Sequence, residues 1–337
     1  MKAAVLHEFG KPPVIENIPV RPPGHGEVLV EVHSCGVCYS DVKLSRALLP
    51  KDRLPALPHV LGHEIAGVIE EVGPGVRSLK KGTRVGVHFY VPCGLCFQCR
   101  IGHEPLCENL VDQIGFTCNG GYAEYVTVPE RNCVPLPGSV GFDEAGIAAD
   151  AIATTVEAVK RTGNVRLADR VAVVGAGGLG IHAVQVARLA GAWVLSVDVD
   201  EKRLEQASRL GANECVLHGD LGPRQEKCFD VVIDAVGHSE TVESDLRLVR
   251  PGGTIVMLGY ANGVSFTIPT PQMVHHQITV AGSRASSLQS YVDAITLIAR
   301  GQITPVITKR YALEEAGRAI DDLARGAISG RGVLRIR

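Results

Sequence analysis

Four cysteines fall within fifteen positions of this chain: Cys93, Cys96, Cys99 and Cys107, in the stretch VPCGLCFQCRIGHEPLC. Soft sulfur ligands at this spacing can close a tetrahedral zinc shell inside a single loop. Other fates of clustered thiols fit less well. A disulfide knot belongs to an oxidising compartment, and the N-terminus MKAAVLHEFGKPP carries no charged segment followed by an apolar one that would direct export. A redox C-x-x-C would open a helix inside a βαβ unit, and no such unit surrounds these residues. Four thiolates leave no open coordination position, so this metal steadies a loop and cannot take a substrate.

Metal-assisted chemistry needs three ligands and a vacancy. The candidates are Cys38, in CGVCYSDVK, and His63 and Glu64, in LGHEIAGVIEEVGPGV. A second constellation points to a dinucleotide. VAVVGAGGLG sets Gly175, Gly177 and Gly180 at G-x-G-x-x-G spacing, with Gly178 among them, after a strand-like run and before a helical one. Gly175 permits the tight turn, Gly177 lets the backbone approach a pyrophosphate, and Gly180 lets helix and strand pack closely. The helix N-terminus adds free N–H groups and a positive dipole end. Asp198 ends the next strand-like run, where it would accept both ribose hydroxyls. That favours NAD over NADP, since a 2′-phosphate beside a carboxylate is repelled; Arg203 nearby tempers the preference only slightly.

These residues sit in two differently patterned regions. Before about residue 150, short β-rich runs alternate with Gly and Pro: GEVLVEVHSCG, HEIAGVIEEVGPGV, GTRVGVHF and GGYAEYVTVP. Such punctuation predicts a small antiparallel, barrel-like unit. Beyond it, apolar four- to six-residue runs alternate with amphipathic helices, from RVAVVGAG to QITVAGS, which predicts a parallel sheet covered on both faces. From about residue 286 two more helical patterns appear, SLQSYVDAITLIARG and LEEAGRAIDDLARG. The strand-like GVLRIR then ends the chain and can complete the sheet of the first region. The divisions expected are 1–148, 149–285 and 286–337.

Composition supports this plan and excludes others. A chain of 337 residues exceeds one ordinary core, so two domains are expected. With 45% apolar and 21% charged residues and a net charge of −2, it has no field to recruit nucleic acid or an anionic membrane. No apolar run is long enough to cross a bilayer. A reducing cytoplasm is the expected setting.

In these motifs the chain resembles the zinc-dependent alcohol dehydrogenases of the medium-chain dehydrogenase/reductase family, over essentially its whole length. The family pattern GHExxGxxxxxGxxV is matched by Gly62, His63, Glu64, Gly67, Gly73 and Val76. A zinc-binding cysteine followed by a hydroxyl residue and an acid is matched by Cys38, Ser40 and Asp41, and the structural-zinc loop by the four clustered cysteines. The resemblance implies a GroES-like catalytic domain and a doubly wound Rossmann domain inserted before the C-terminal segment, NAD, and two Zn²⁺ per chain. It also implies a small-molecule alcohol or carbonyl substrate and a homo-oligomer, tetramer or dimer. Where many members carry a third cysteine ligand, this chain reads GIAADAIATTVEAVK, with Asp150 four residues before Thr154. Asp150 is therefore the expected third ligand of the catalytic zinc, with a helix N-cap as its alternative role. Thr154 opens the helix leading into the cofactor domain.

The resemblance assigns roles to the remaining residues as well. Ser40 takes the alcohol proton, Asp41 orients His63, and Glu64 stands behind the metal or ligates it transiently. Arg331, in SGRGVL, matches an arginine that reaches the cofactor pyrophosphate. Two positions depart from the pattern: Lys43 stands where many members place a relay histidine, and Tyr39 where others place a basic residue for the pyrophosphate. Phe89 and Tyr90 are candidates for an apolar substrate wall, with core packing as the alternative. Rival readings are a polyol or cyclic hydroxyacyl-thioester dehydrogenase, a zinc-free quinone or enoyl reductase, and a non-catalytic zinc-ribbon module. The open-site ligands and the dinucleotide signature speak against the last two.

Overall fold

Along Glu27–Val37, the strand EVLVEVHSCGV, the residues Val28, Val30 and Val32 are buried while Glu27, Glu31 and His33 between them stay half-exposed. That alternation marks a strand with one face on a core. The computed structural model describes all 337 residues, and in it this strand is the spine of a seven-stranded sheet. On one side it pairs along its length with Glu64–Val72. On the other, its first half pairs with Tyr125–Pro129 and its second half with Arg331–Arg335. Further along the sheet, Arg84–Val87 pairs with Glu64–Val72, and Cys133–Pro135 with Arg84–Val87. All these pairings are antiparallel. The exception is Ile307–Ala312, which runs parallel to Arg331–Arg335 and is joined to it by the helix Ala316–Ala324. A separate three-stranded sheet combines Lys2–Leu6, Val14–Asn17 and His59–Val60.

The second unit is a six-stranded parallel sheet. In chain order its strands are Arg170–Val174, Trp193–Asp198, Glu214–Leu217, Phe229–Asp234, Val249–Met257 and Thr279–Gly282, and they lie in the order 3-2-1-4-5-6. This is the doubly wound order of dinucleotide-binding folds, with a switch point beside the first strand. The core clusters Val174, Leu195, Val197, Phe229, Val232 and Ile255 beneath Val242, Leu246 and Leu248 of the helix Ser239–Leu248.

The chain divides into Met1–Asp150 with Ser287–Arg300 and Ile307–Arg337, and Ala151–Ser286 with Gly301–Val306. The C-terminal segment expected at 286–337 is thus not one piece. Residues 301–306 cluster with the parallel sheet because Gln185 and His182 bind their backbone, at Thr304 and Val306 respectively. No helix is long and apolar enough to cross a membrane.

Candidate active site

Sheet register brings the first set of functional residues together. Glu64 pairs with Gly36, and Gly332 with Val37, so Glu64, Cys38 and Arg331 converge from three neighbouring strands. His63 precedes Glu64 just outside its strand. Asp150 arrives from the helical stretch beginning at Phe142, in a π-helical segment, Ala148–Ile152. One ligand atom each from Cys38, His63, Glu64 and Asp150 lies within 4.8 Å of all the others. The Cys38 Sγ is 3.2 Å, and the His63 Nε2 3.9 Å, from Asp150 Oδ2. All four residues are buried.

The surroundings fix these ligands. Asp41 accepts from the Cys38 N–H at 2.8 Å and from the Tyr122 hydroxyl at 3.0 Å, while its other oxygen lies 3.4 Å from His63 Nδ1. Asp41 therefore ties the cysteine, the histidine and the fully buried Tyr122 into one unit, the role expected of a carboxylate behind a metal-binding histidine. Burial disfavours a proton on His63, but Asp41, Asp150 and Cys38 together raise its proton affinity well above the ordinary histidine value. Burial pushes the Glu64 carboxyl well up, and Arg331 opposes that shift.

Arg331, for which the resemblance implies a contact with the pyrophosphate, is buried beside the ligand cluster, with its Nη2 3.3 Å from Glu64 Oε1 and 3.1 Å from Asp150 Oδ2. The pairing of Gly332 with Val37 requires this, because it places Arg331 beside Cys38.

The donor set fits a divalent cation. A sulfur, an imidazole and two carboxyl groups converge in a buried space beside a single guanidinium, and neither Glu64 oxygen receives a hydrogen bond. Soft sulfur, imidazole and carboxylate together are ligands of zinc.

Around this cluster, Ser40 is half-buried and Tyr39 exposed on the first turn of the helix Tyr39–Ser45. The Lys43 Nζ lies 5.9 Å from the Tyr39 ring centroid, and burial lowers the lysine's proton affinity. Phe89 and Tyr90 are buried, with the Phe89 ring 5.0 Å from that of His63. Phe116 packs still closer, 4.7 Å from His63 and 5.8 Å from Phe89. Neither Phe116 nor Tyr122 was anticipated. Their signal was weak, a lone aromatic on each side of the Gly120–Gly121 pair.

The four loop cysteines are half-exposed and unpaired as disulfides. Cys96 Sγ lies 3.4 Å from Cys99 Sγ and 3.9 Å from Cys107 Sγ, and Cys93 Sγ lies 3.8 Å from Cys99 Sγ. A tetrahedron with zinc–sulfur bonds of ~2.3 Å has edges of ~3.8 Å, so the sulfurs already stand at ligand spacing. The N–H groups of Leu95 and Cys96 stabilise the Cys93 thiolate and lower its pKa to about 6.

In the parallel-sheet unit, the turn after Arg170–Val174 has Gly175 at φ +88°, and a Cβ on Gly180 would collide with the Gly175 carbonyl oxygen. Both glycines are thus sterically required. Gly177 faces open space. Asp198 accepts from Ala176 N at 2.6 Å, and from the N–H groups of Val199 and Asp200. The Arg203 guanidinium lies 3.8 Å from Asp198. Thr154 is buried in the helix Ala153–Glu157.

Two family descriptions match the chain: "Alcohol dehydrogenase GroES-like domain" over residues 24–138 and "Zinc-binding dehydrogenase" over residues 178–300. An alcohol dehydrogenase of Geobacillus stearothermophilus is 35% identical over the full length of both chains. The chain belongs to the zinc-dependent alcohol dehydrogenase family. A relative named as an NAD-dependent alcohol dehydrogenase, from Sulfolobus acidocaldarius, is 34% identical, again with complete coverage of both chains. The solved alcohol dehydrogenase of Aeropyrum pernix superposes with a TM-score of 0.92 at 32% identity, covering all of both chains. For a zinc-dependent dehydrogenase, the architecture is a GroES-like unit carrying the two clusters that could hold a metal ion and a Rossmann unit carrying the glycine turn.

Proposed function

We propose that this chain catalyses NAD-linked oxidation of a primary or secondary alcohol to an aldehyde or ketone, and the reverse reduction, at a zinc held by Cys38, His63 and Asp150. The convergence of these buried donors with Glu64 carries the reading. Zinc bound there supplies Lewis acidity, polarising the substrate oxygen and easing loss of its proton.

The chain's own groups do the rest. Asp41 holds the His63 ring with Nε2 turned toward Asp150 and Cys38. Ser40, two residues beyond the ligand Cys38, receives the proton that the alcohol gives up and passes it outward. Arg331 offsets the charge of Glu64 and Asp150, which keeps the cluster's net charge matched to a divalent ion. Phe89 and Phe116 form an aromatic wall beside His63 that excludes water and favours an apolar substituent on the carbinol carbon. Gly175, Gly177, Gly178 and Gly180 receive the pyrophosphate, and Asp198 the ribose hydroxyls. The Cys93, Cys96, Cys99 and Cys107 shell takes the second zinc and orders its loop. Ten unpaired cysteines suit a cytoplasmic enzyme.

Metal analysis with an alcohol panel tests the reading. Wild type is expected to hold about two zincs per chain and Asp150→Ala about one, with turnover lost and the fold kept. Full zinc and full activity in Asp150→Ala would remove Asp150 from the ligand set.

A further inference from the structure

The helix Gly180–Leu189, which follows the glycine turn, carries two buried polar side chains one turn apart. Gln185 engages both backbone groups of Thr304: its Nε2 donates to the carbonyl at 3.0 Å and its Oε1 accepts the N–H at 2.8 Å. His182 makes two bonds in different directions. Its Nε2 accepts the Val306 N–H at 3.1 Å, and its Nδ1 lies 2.8 Å from the Gly178 carbonyl oxygen. A ring nitrogen that receives an N–H is unprotonated, and one that meets a carbonyl must carry a proton. The ring is therefore neutral, with its proton on Nδ1.

The Gly178 bond has a counterpart on the other side of the turn, where Asp198 holds the Ala176 N–H at 2.6 Å. Ala176 and Gly178 flank Gly177, the glycine that faces open space. The turn is thus pinned on both sides of the residue that a pyrophosphate would approach. Only one of the pins is the acidic residue expected from the dinucleotide signature.

We propose that His182 is a positioning residue for the dinucleotide. Its neutral imidazole fixes Gly178 from the helix side, so that the N–H groups of the turn are aligned before the phosphate arrives, and it anchors that arrangement to Thr304–Val306. A turn ordered in advance binds with less loss of conformational freedom than one that must be ordered by its ligand. The inference rests on the NAD reading for what the turn binds.

Three variants of the full-length protein separate the parts. In His182→Gln the side-chain oxygen can still accept from Val306 but the Gly178 bond is lost. In His182→Asn the amide can still donate to Gly178 but Val306 is released. Gln185→Met frees Thr304 and touches neither. NADH affinity by nicotinamide fluorescence, amide hydrogen exchange without cofactor, and melting temperature are measured on each. His182→Gln is expected to bind NADH roughly tenfold more weakly, the worth of one lost hydrogen bond, and to exchange faster in residues 176–179. His182→Asn is expected to lose less affinity and to exchange faster at 304–306. Gln185→Met is expected to lower the melting temperature with NADH affinity retained.

The proposal is overturned if Gln185→Met weakens NADH as much as either His182 variant, since the effect would then be general destabilisation. It is equally overturned if both His182 variants bind NADH as wild type does. Should His182→Gln not fold, the comparison of His182→Asn with Gln185→Met decides by the same criterion. Failure of wild type to bind NADH would instead overturn the cofactor reading, and the exchange pattern would still decide whether His182 pins the turn.

Discussion

Arg331 is buried, faces two carboxylates, and carries the positive charge that lets them lie together. Breaking a buried ion pair from one side leaves an unpaired charge, and Arg331→Ala is expected to destabilise the metal-stripped protein by about 3–5 kcal/mol. With zinc bound the loss should be smaller, because the cation then faces the same carboxylates. Denaturant titrations with and without zinc check this, and equal losses in the two conditions would contradict it. A different buried acid gives a pH prediction. Asp245 is fully buried, with neither oxygen receiving a hydrogen bond; burial, and then the facing Asp234 carboxylate, push its carboxyl well above the ordinary 3.8. The folded chain then keeps a proton that the unfolded chain releases. This group's stabilising contribution is fully present below the unfolded pKa and is lost as pH rises toward the folded one. Asp245→Asn fixes the neutral form. Relative to wild type it should gain about 1.4 kcal/mol per pH unit from near pH 4 upward, until the folded value is passed. A stability difference that stays flat with pH would contradict the shared-burial account. Spacing in the sequence singled out the four clustered cysteines. Their joint occurrence with the dinucleotide signature and the family resemblance singled out Cys38 and His63. Each set lies in a group whose ligand atoms could hold a metal ion. Spacing did not reveal Arg331 beside Glu64, Tyr122 on Asp41 or Phe116 against His63, because those contacts arise from register between strands distant in the chain.

At the scale of elements, helical patterning shows where a helix runs but not how tightly it is wound. The stretch Phe142–Thr162 passes from α to π geometry at Ala148–Ile152, returns to α at Ala153–Glu157, and widens again at Ala158–Thr162. Single π turns recur at functional sites because one extra residue per turn re-aims a side chain. Asp150 lies in the first widened segment, so its reach to Cys38 and His63 depends on that winding. Deleting Ala149 should restore α geometry and turn Asp150 away from its present direction relative to the residues that precede it. The expected result is loss of the zinc held by Cys38 and His63 with retention of the zinc in the cysteine loop. Metal stoichiometry and circular dichroism measure this, and an unchanged zinc content would show that Asp150 reaches the cluster without the π segment. The parallel strands, by contrast, were legible one by one as apolar runs between amphipathic helices, because both faces of that sheet are covered.

At the scale of the molecule, the two units use the chain differently. The parallel-sheet unit is nearly continuous, Ala151–Ser286, with six further residues, whereas the GroES-like unit is assembled from three separate segments. Its sheet places Arg331–Arg335 between the second half of Glu27–Val37 and Ile307–Ala312, so the C-terminal strand has a neighbour on each side. Val333 and Leu334 are fully buried there, and Ile307–Ala312 pairs with no other strand of that sheet. The strand-like pattern of GVLRIR and its return to the first region's sheet were readable in the sequence, but its neighbours there were not, since pairing across some 300 residues leaves no local trace. Ending the chain after Gly330 therefore removes a strand between two neighbours, strips Arg331 from the ligand cluster, and exposes the edge of Glu27–Val37. The core of the parallel sheet, built from residues between 172 and 278, loses nothing. The truncated protein should show early proteolysis within residues 1–150 and no zinc at Cys38, while a protected fragment spanning about 151–286 persists and protein stability in that fragment still responds to NADH. Limited proteolysis read by mass spectrometry decides the matter: simultaneous cleavage of both units would mean that the Rossmann unit depends on the C-terminal strand for its own stability.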